Sequence, residues 1–399
     1  MLTEEPSGRR RAIWIGAGYA AQGFGYAAVV TALPAFKERQ DIGDGFVSVV
    51  LLLVCVAAAA GSVIADRVAA RWGSRFALGG GLLTVAAGLA LTTFYTPIPL
   101  FTAIFIAYGI GLGAVDASLS MQGVLVQGRL GRSVMSRLFA AYTAAAITAA
   151  LLMSGFAASG GGAALAVGAA ALFAVAVTLA GFSSLEPART VLPDLVGDRR
   201  HDGTRRVVMI CGAFIFTAFL ADSAVSTWSS VYLDDSLAAR AAVVPLGYAA
   251  YQACVLIARL VGDHVVPRVG RAASATACLL ICAVGCGIVV AIPAIPAAIA
   301  GFALTGIGVG ILVPLTFSAA GEAAPGGRSD EVIARVNLFN YGGALLGAVL
   351  LGALSDPIGL RLAFLIPVAG LLATLPVVRA LRHLAANPVT LEPPATAPR

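Results

Sequence analysis

The chain has 399 residues, 59% of them apolar and only 12% charged, with a net charge of +6. A soluble protein is roughly half apolar and a quarter charged, and surface-to-volume scaling limits what a water-facing fold can hide. The balance excludes a soluble globular domain and makes lipid the solvent for most of the chain. It does not point to nucleic acid either: the basic residues are arginines, with Lys37 the one lysine, and they alternate with long apolar runs.

In chain order, Arg9, Arg10 and Arg11 open the sequence and lead into a run too long for the core of a cleavable signal, so the N-terminus is expected to be retained. A spanning helix needs about 20 apolar residues. Twelve runs qualify: 12–33, 45–65, 76–96, 98–125, 138–158, 162–183, 207–233, 240–262, 272–292, 297–321, 335–355 and 359–382. They lack the period-two alternation of barrel strands, so the fold class is an all-α membrane protein of twelve transmembrane helices. The longest polar interruption, 184–206, reads as a cytoplasmic linker between two six-helix halves, 1–183 and 207–383, and the Pro- and Ala-rich stretch 384–399 reads as a disordered tail. If both termini are cytoplasmic, all but Lys37, Arg39, Arg240 and Arg361 of the 26 basic residues lie on the inner side, as the positive-inside rule requires.

The halves echo each other at an offset of about 197 residues. Asp66, Arg71 and Gly73 recur as Asp263, Arg268 and Gly270, each set read as a short loop after the second helix of its half. Gly109, Gly111 and Gly113 recur as Gly306, Gly308 and Gly310 in the fourth helix of each half, and Arg137 and Tyr142 have a weaker echo in Arg335 and Tyr341. Parallel repeats of this kind are typical of secondary transporters.

The segment 61–75, GSVIADRVAARWGSR, resembles the signature loop of the major facilitator superfamily (MFS), and 258–271, ARLVGDHVVPRVGR, resembles its second-half copy. Segments 111–137 and 227–233 are similar to a poorly characterised bacterial branch related to sugar permeases. There are departures: Ser62 stands where the family usually has glycine, His264 where it usually has arginine, and the fifth span lacks the Gly-Pro pattern of drug/proton antiporters. The resemblance implies alternating access between two halves in pseudo-twofold arrangement, in a bacterial inner membrane. It implies a conformational latch at Asp66, Arg67, Arg71, Gly73, Asp263 and Arg268, and a central cavity lined by helices one, four, seven and ten.

Asp222 lies near the middle of the seventh span, and Asp116 lies in the fourth, about 7–8 Å from its midpoint at 1.5 Å per residue. An ionisable residue at membrane depth is a functional-site hypothesis by default, and a carboxyl there can take up and release a proton. The alternative is a carboxylate paired with serine and backbone in a watery cavity. Polar stripes at helical spacing add Tyr19, Gln22 and Tyr26 on span one, Ser120 on span four, and Ser226 and Trp228 on span seven. Tyr248 and Gln252 on span eight, and Asn337, Asn340 and Tyr341 on span eleven, complete the set. Polar faces must turn away from lipid, so together these residues read as a cavity for an amphipathic or hydroxylated solute. Cys278, Cys282 and Cys286 share one helix face and read as small packing residues. No ATP-binding loop, metal-ligand spacing or nucleophile with a base is present in the sequence. The expectation is therefore a non-enzymatic transporter without cofactor or metal, partnered by a small solute, protons and lipid, and working as a monomer. An uncoupled facilitator and a transport-dead sensor or scaffold are the alternatives.

Overall fold

The computed structural model describes residues 6–130, 134–185, 202–324 and 329–381. The described residues form long helices: α1 (Pro6–Gln40), α2 (Asp44–Trp72), α3 (Ser74–Thr92), α4 (Ile98–Leu130), α5 (Met135–Ala158) and α6 (Gly162–Gly181). After the interval come α7 (Asp202–Val231), α8 (Leu246–Val269), α9 (Arg271–Ala291), α10 (Ile295–Glu322) and α11 (Ser329–Ile358). The last crossing, Leu360–Leu381, is broken into α12 (Leu360–Ala363) and α13 (Leu365–Thr374) with a 3-10 turn at Leu375–Val377. Most of the 184–206 linker, His201, His383 and the tail lie outside the described residues.

Eleven of these helical stretches are long and apolar enough to cross a membrane. The exception is α1, 35 residues long. Its apolar run is diluted by Tyr19, Gln22 and Tyr26, which are buried or half-buried among other helices.

Two boundaries differ from the sequence reading. The signature segments are not loops: Asp66–Trp72 forms the last turns of α2, and Asp263–Val269 those of α8. The breaks fall at Gly73 and Gly270, whose φ values of 102° and 89° are open to glycine and costly for other residues. The eighth helix begins at Leu246 rather than near 240, because 237–245 is a non-helical stretch of turns and irregular chain.

The repeat is a packing device. A Cβ on Gly109 would meet the Val54 carbonyl oxygen at 2.6 Å, and one on Gly113 the Ala58 oxygen at 1.9 Å. One on Gly111 would meet Val85 and Gly81 of α3. In the second half a Cβ on Gly306 would meet the Tyr251 oxygen at 2.4 Å, one on Gly310 the Val255 oxygen at 2.7 Å, and one on Gly308 would meet Cys282 and Cys278 of α9. Every contact partner is thus shifted by the same offset of about 197 residues. Glycines on α4 and α10 let these helices press backbone to backbone between their neighbours, which is how helices associate where lipid removes the hydrophobic incentive. It also explains the cysteine face of α9. Cys278 and Cys282 pack on Gly308 of α10, and Cys286 Sγ lies 3.6 Å from Thr305 Oγ1.

Between the halves, α2 packs on α11, α5 on α8 and α1 on α7. The end at which α1 begins is termed here the terminal end, and the other the far end.

Candidate functional site

The far end is closed. Lys37, at the end of α1, is ion-paired both with Asp44 at the start of α2 and with Asp235 in the π-helical turn after α7. Ser154 of α5 donates a hydrogen bond to the Ala242 carbonyl oxygen across the same seam. At the α2–α11 contact a Cβ on Gly352 would meet Ser48 Oγ at 2.0 Å and the Trp228 ring at 2.2 Å. Trp228 is fully buried and its Nε1 donates to the Ala348 oxygen at 2.8 Å. It therefore plugs the far end of the second half and does not line a cavity. Ser226, two residues before it, is buried and has no hydrogen-bond partner among the described residues.

Three of the four basic residues that broke the inner-side rule have structural duties here. Lys37 ties the halves, Arg39 donates to the Thr92 and Thr93 oxygens at the end of α3, and Arg361 donates to the Val290 and Ala291 oxygens at the end of α9. Carbonyls at a helix C-terminus lack intrahelical donors and carry partial negative charge, so cations are well placed there.

At mid-depth the second half holds a charged network. Asp222 of α7 accepts a hydrogen bond from the Tyr251 hydroxyl of α8 and lies within reach of the Arg259 charge. Arg259 in turn donates from Nη1 to Thr143 Oγ1 of α5 at 3.3 Å, across the seam. Tyr26 of α1 and Tyr142 of α5 lie within electrostatic reach of Asp222. Tyr248 also faces it and accepts from Gln252 Nε2 at 2.9 Å. The sequence reading missed Arg259 and Thr143 altogether. Its eighth span, 240–262, put Arg259 close to an end; the true helix, Leu246–Val269, puts it near the middle.

The first half contributes Asp116, which sits nearer the midpoint of α4 than expected because that helix runs on to Leu130. Its Oδ1 accepts from Gln22 Nε2 of α1 at 3.2 Å. Tyr19 of α1 and Tyr341 of α11 both lie within its electrostatic reach, so Asp116 looks across the gap between the halves. Asp116 and Ser120 are nevertheless exposed, as is Tyr341, while Asn337 and Asn340 are half-exposed and joined by a 3.0 Å hydrogen bond. Exposed polar groups from both halves thus meet on the terminal side of the sealed far end, an arrangement that suits a cleft between the halves.

The signature residues lie at that end. Asp66 and Arg71 are not brought together: once helical, residues five apart point to different faces, where three or four apart would meet. Arg71 stacks over the Trp72 ring at 5.0 Å, Asp66 is half-buried, Arg67 is exposed, and Arg268 donates to the His264 oxygen at 2.6 Å. Asp263 is exposed. Glu322, at the end of α10, is ion-paired with Arg271 at the start of α9.

A duplicated helix bundle, closed at one end around mid-depth carboxylates, agrees with what comparison finds. Residues 210–398 match the Major Facilitator Superfamily. The fold is of the major facilitator type. An uncharacterized MFS-type transporter of Yersinia pestis is 27% identical over 352 residues, 86% of this chain and 88% of that one. An uncharacterized transporter of Sinorhizobium fredii is 28% identical over 372 residues, 90% of this chain and 95% of that one. Among solved structures, a bacterial homolog of the human lysosomal transporter Spinster, inward-facing and occupied, superposes with a TM-score of 0.73 at 10% identity, covering 96% of this chain and 98% of that one. The nucleoside transporter NupG superposes at 0.70 and 11% identity, covering 96% and 100%. The MFS fold expected from the signature segments is therefore the fold observed, and its apolar helices together with the transporter relatives support transport of a solute by a multi-pass membrane protein.

Proposed function

We propose that this protein moves a small organic solute across a bacterial inner membrane by proton-coupled alternating access, with Asp222 as the proton carrier. In this reading α1 is the twelfth span, both termini are cytoplasmic, and the halves 1–183 and 207–383 rock as a monomer about the linker 184–206. The terminal end, open in this state, then faces the cytoplasm.

The observation that carries the reading is the Asp222 network. A charge at membrane depth costs roughly 2.5–3.5 kcal/mol on insertion scales, so Asp222 and Arg259 compensate each other there. Arg259 also holds Thr143 in the other half. Adding a proton to Asp222 removes the counter-charge of Arg259 and so alters the group that bridges the α5–α8 seam. A ligand that binds the two access states differently shifts their populations, and here the proton is such a ligand. Moving it down 100 mV yields about 2.3 kcal/mol, enough for about fiftyfold accumulation. At the terminal end, Asp66, Arg67, Arg71, Gly73, Asp263 and Arg268 serve as the latch of the opposite state, engaged when the cleft closes there.

The test is uptake of labelled sugars, amphipathic drugs and peptides into inside-out and right-side-out vesicles, wild type beside Asp222→Asn, with and without an imposed pH gradient. Flux that needs both the gradient and Asp222 is expected. Flux indifferent to both makes the protein an uncoupled facilitator, and the absence of flux from folded protein favours a sensor or scaffold.

A further inference from the structure

We infer that the Asp116 side of the cleft is a subsite for an organic cation, an aminium group on an aromatic or aliphatic body; this rests on the transport-cleft reading above and narrows its substrate class. The two mid-depth carboxylates differ in one respect that decides their roles. Asp222 has a compensating cation, Arg259, and a tyrosine donor. Asp116 has a single amide donor, Gln22, and no arginine or lysine among the described residues that bear on it. It is therefore the uncompensated anion of the described cleft, and it is exposed where Asp222 is half-buried.

Its surroundings are what an aminium takes. Tyr19 is 2% exposed and lies beside Asp116, and its hydroxyl, within reach of Ser120, makes no close hydrogen bond among the described residues. A buried hydroxyl without a partner costs free energy unless a ligand or water completes it. Phe139 packs edge-on to Tyr19 with ring centroids 5.3 Å apart. Tyr341 faces Asp116 from the opposite half and is 57% exposed. Aromatic faces around a carboxylate bind ammonium groups through the ring quadrupole as well as through charge. The groups come from both halves, α1, α4 and α5 on one side and α11 on the other, so a cation seated here touches both moving bodies.

The experiment measures binding by purified full-length protein in nanodiscs of phosphatidylglycerol, which carries no amine. The probe is labelled benzyltrimethylammonium, with neutral N,N-dimethylbenzamide and anionic phenylacetate as competitors. The expected result is that the amide and the carboxylate compete at least about tenfold less well than unlabelled cation. Asp116→Asn is expected to weaken the probe about tenfold or more, with an unchanged melting temperature, while Asp116→Glu retains it. Adding phosphatidylcholine separates the sources: displacement assigns the subsite to a lipid headgroup, and indifference to a free amine, either of which keeps the cationic chemistry. Equal affinity for the amide, preference for phenylacetate, or no retention of the cation by folded protein overturns the inference. Because binding is read without flux, a protein that binds the cation but carries nothing overturns the transport reading alone.

Discussion

The two halves share their packing and differ in their chemistry. Gly109, Gly111 and Gly113 in α4 and Gly306, Gly308 and Gly310 in α10 meet corresponding atoms of their neighbours, partner for partner. The polar residues do not repeat. At the same offset of about 197 residues, Val313 stands for Asp116, Gly25 for Asp222 and Ser62 for Arg259. Ser62 spends its hydroxyl on the Ala58 and Gly113 oxygens, a packing bond. Backbone proximity leaves no freedom at the glycines, so both copies are held to one solution. The cleft faces of the two halves meet different parts of a solute, and nothing in the packing requires them to match.

The sharpest way to break this comparison is to fill the glycine contacts. Gly113→Leu and Gly310→Leu should each prevent recovery of folded protein or lower its melting temperature by comparable amounts, since overpacking costs about 1–3 kcal/mol even where side chains can yield and here the obstacle is backbone. Gly80→Leu and Gly287→Leu, where a Cβ meets nothing within 4 Å, should melt as wild type. A large loss in one half only would contradict the shared scaffold.

Next comes the pair Arg259 and Ser62. An uncompensated charge at membrane depth costs roughly 2.5–3.5 kcal/mol on insertion scales, and Arg259→Gln leaves Asp222 without its cation, so it should reduce flux by about tenfold or more, whereas Ser62→Ala should stay within about twofold. Equal effects would mean that position, not chemistry, sets the outcome.

A smaller effect is expected at the far end. Lys37→Met removes the tie to Asp235, and a partly exposed ion pair contributes up to about 1 kcal/mol. Labelling of a Ser48→Cys probe from that side should rise by at most about fivefold. Burial lowers the pKa of Lys37, but the hydrogen bonds and charges of Asp235 and Asp44 more than offset it and hold it above its ordinary value. The tie is thus complete at neutral pH and is lost as pH rises through that raised value, so wild type should approach the Lys37→Met rate only in strong alkali. Smallest of all, Asp66→Asn should leave the melting temperature within what about 0.5 kcal/mol would move while slowing flux, because its carboxylate has no partner among the described residues.

Much of this was legible in the sequence. Run lengths gave the helices, and the glycine and Asp-Arg-Gly echoes gave the duplication, because both rest on local spacing. What was lost depended on where helices end and on which residues meet at a distance. The non-helical stretch 237–245 delays α8 and carries Arg259 to the middle of that helix. Continuation of α2 through Asp66–Trp72 separates Asp66 from Arg71. Trp228 shares a helix with Asp222, yet its partner is the Ala348 oxygen of α11, which no pattern along α7 could reveal. The Lys37–Asp235 tie likewise joins residues 198 positions apart.

The most direct test of alternating access under the control of Asp222 is a pair of spin-label distances in a background without native cysteines. One pair, at Ser159 and Ala294, spans the far end, and the other, at Arg71 and Val269, spans the terminal end; all four residues are exposed. Asp222→Asn, fixed in the uncharged form, should lengthen the first distance and shorten the second relative to wild type at alkaline pH. Two distances that do not respond to the charge at Asp222, or that change in the same direction, would contradict the account.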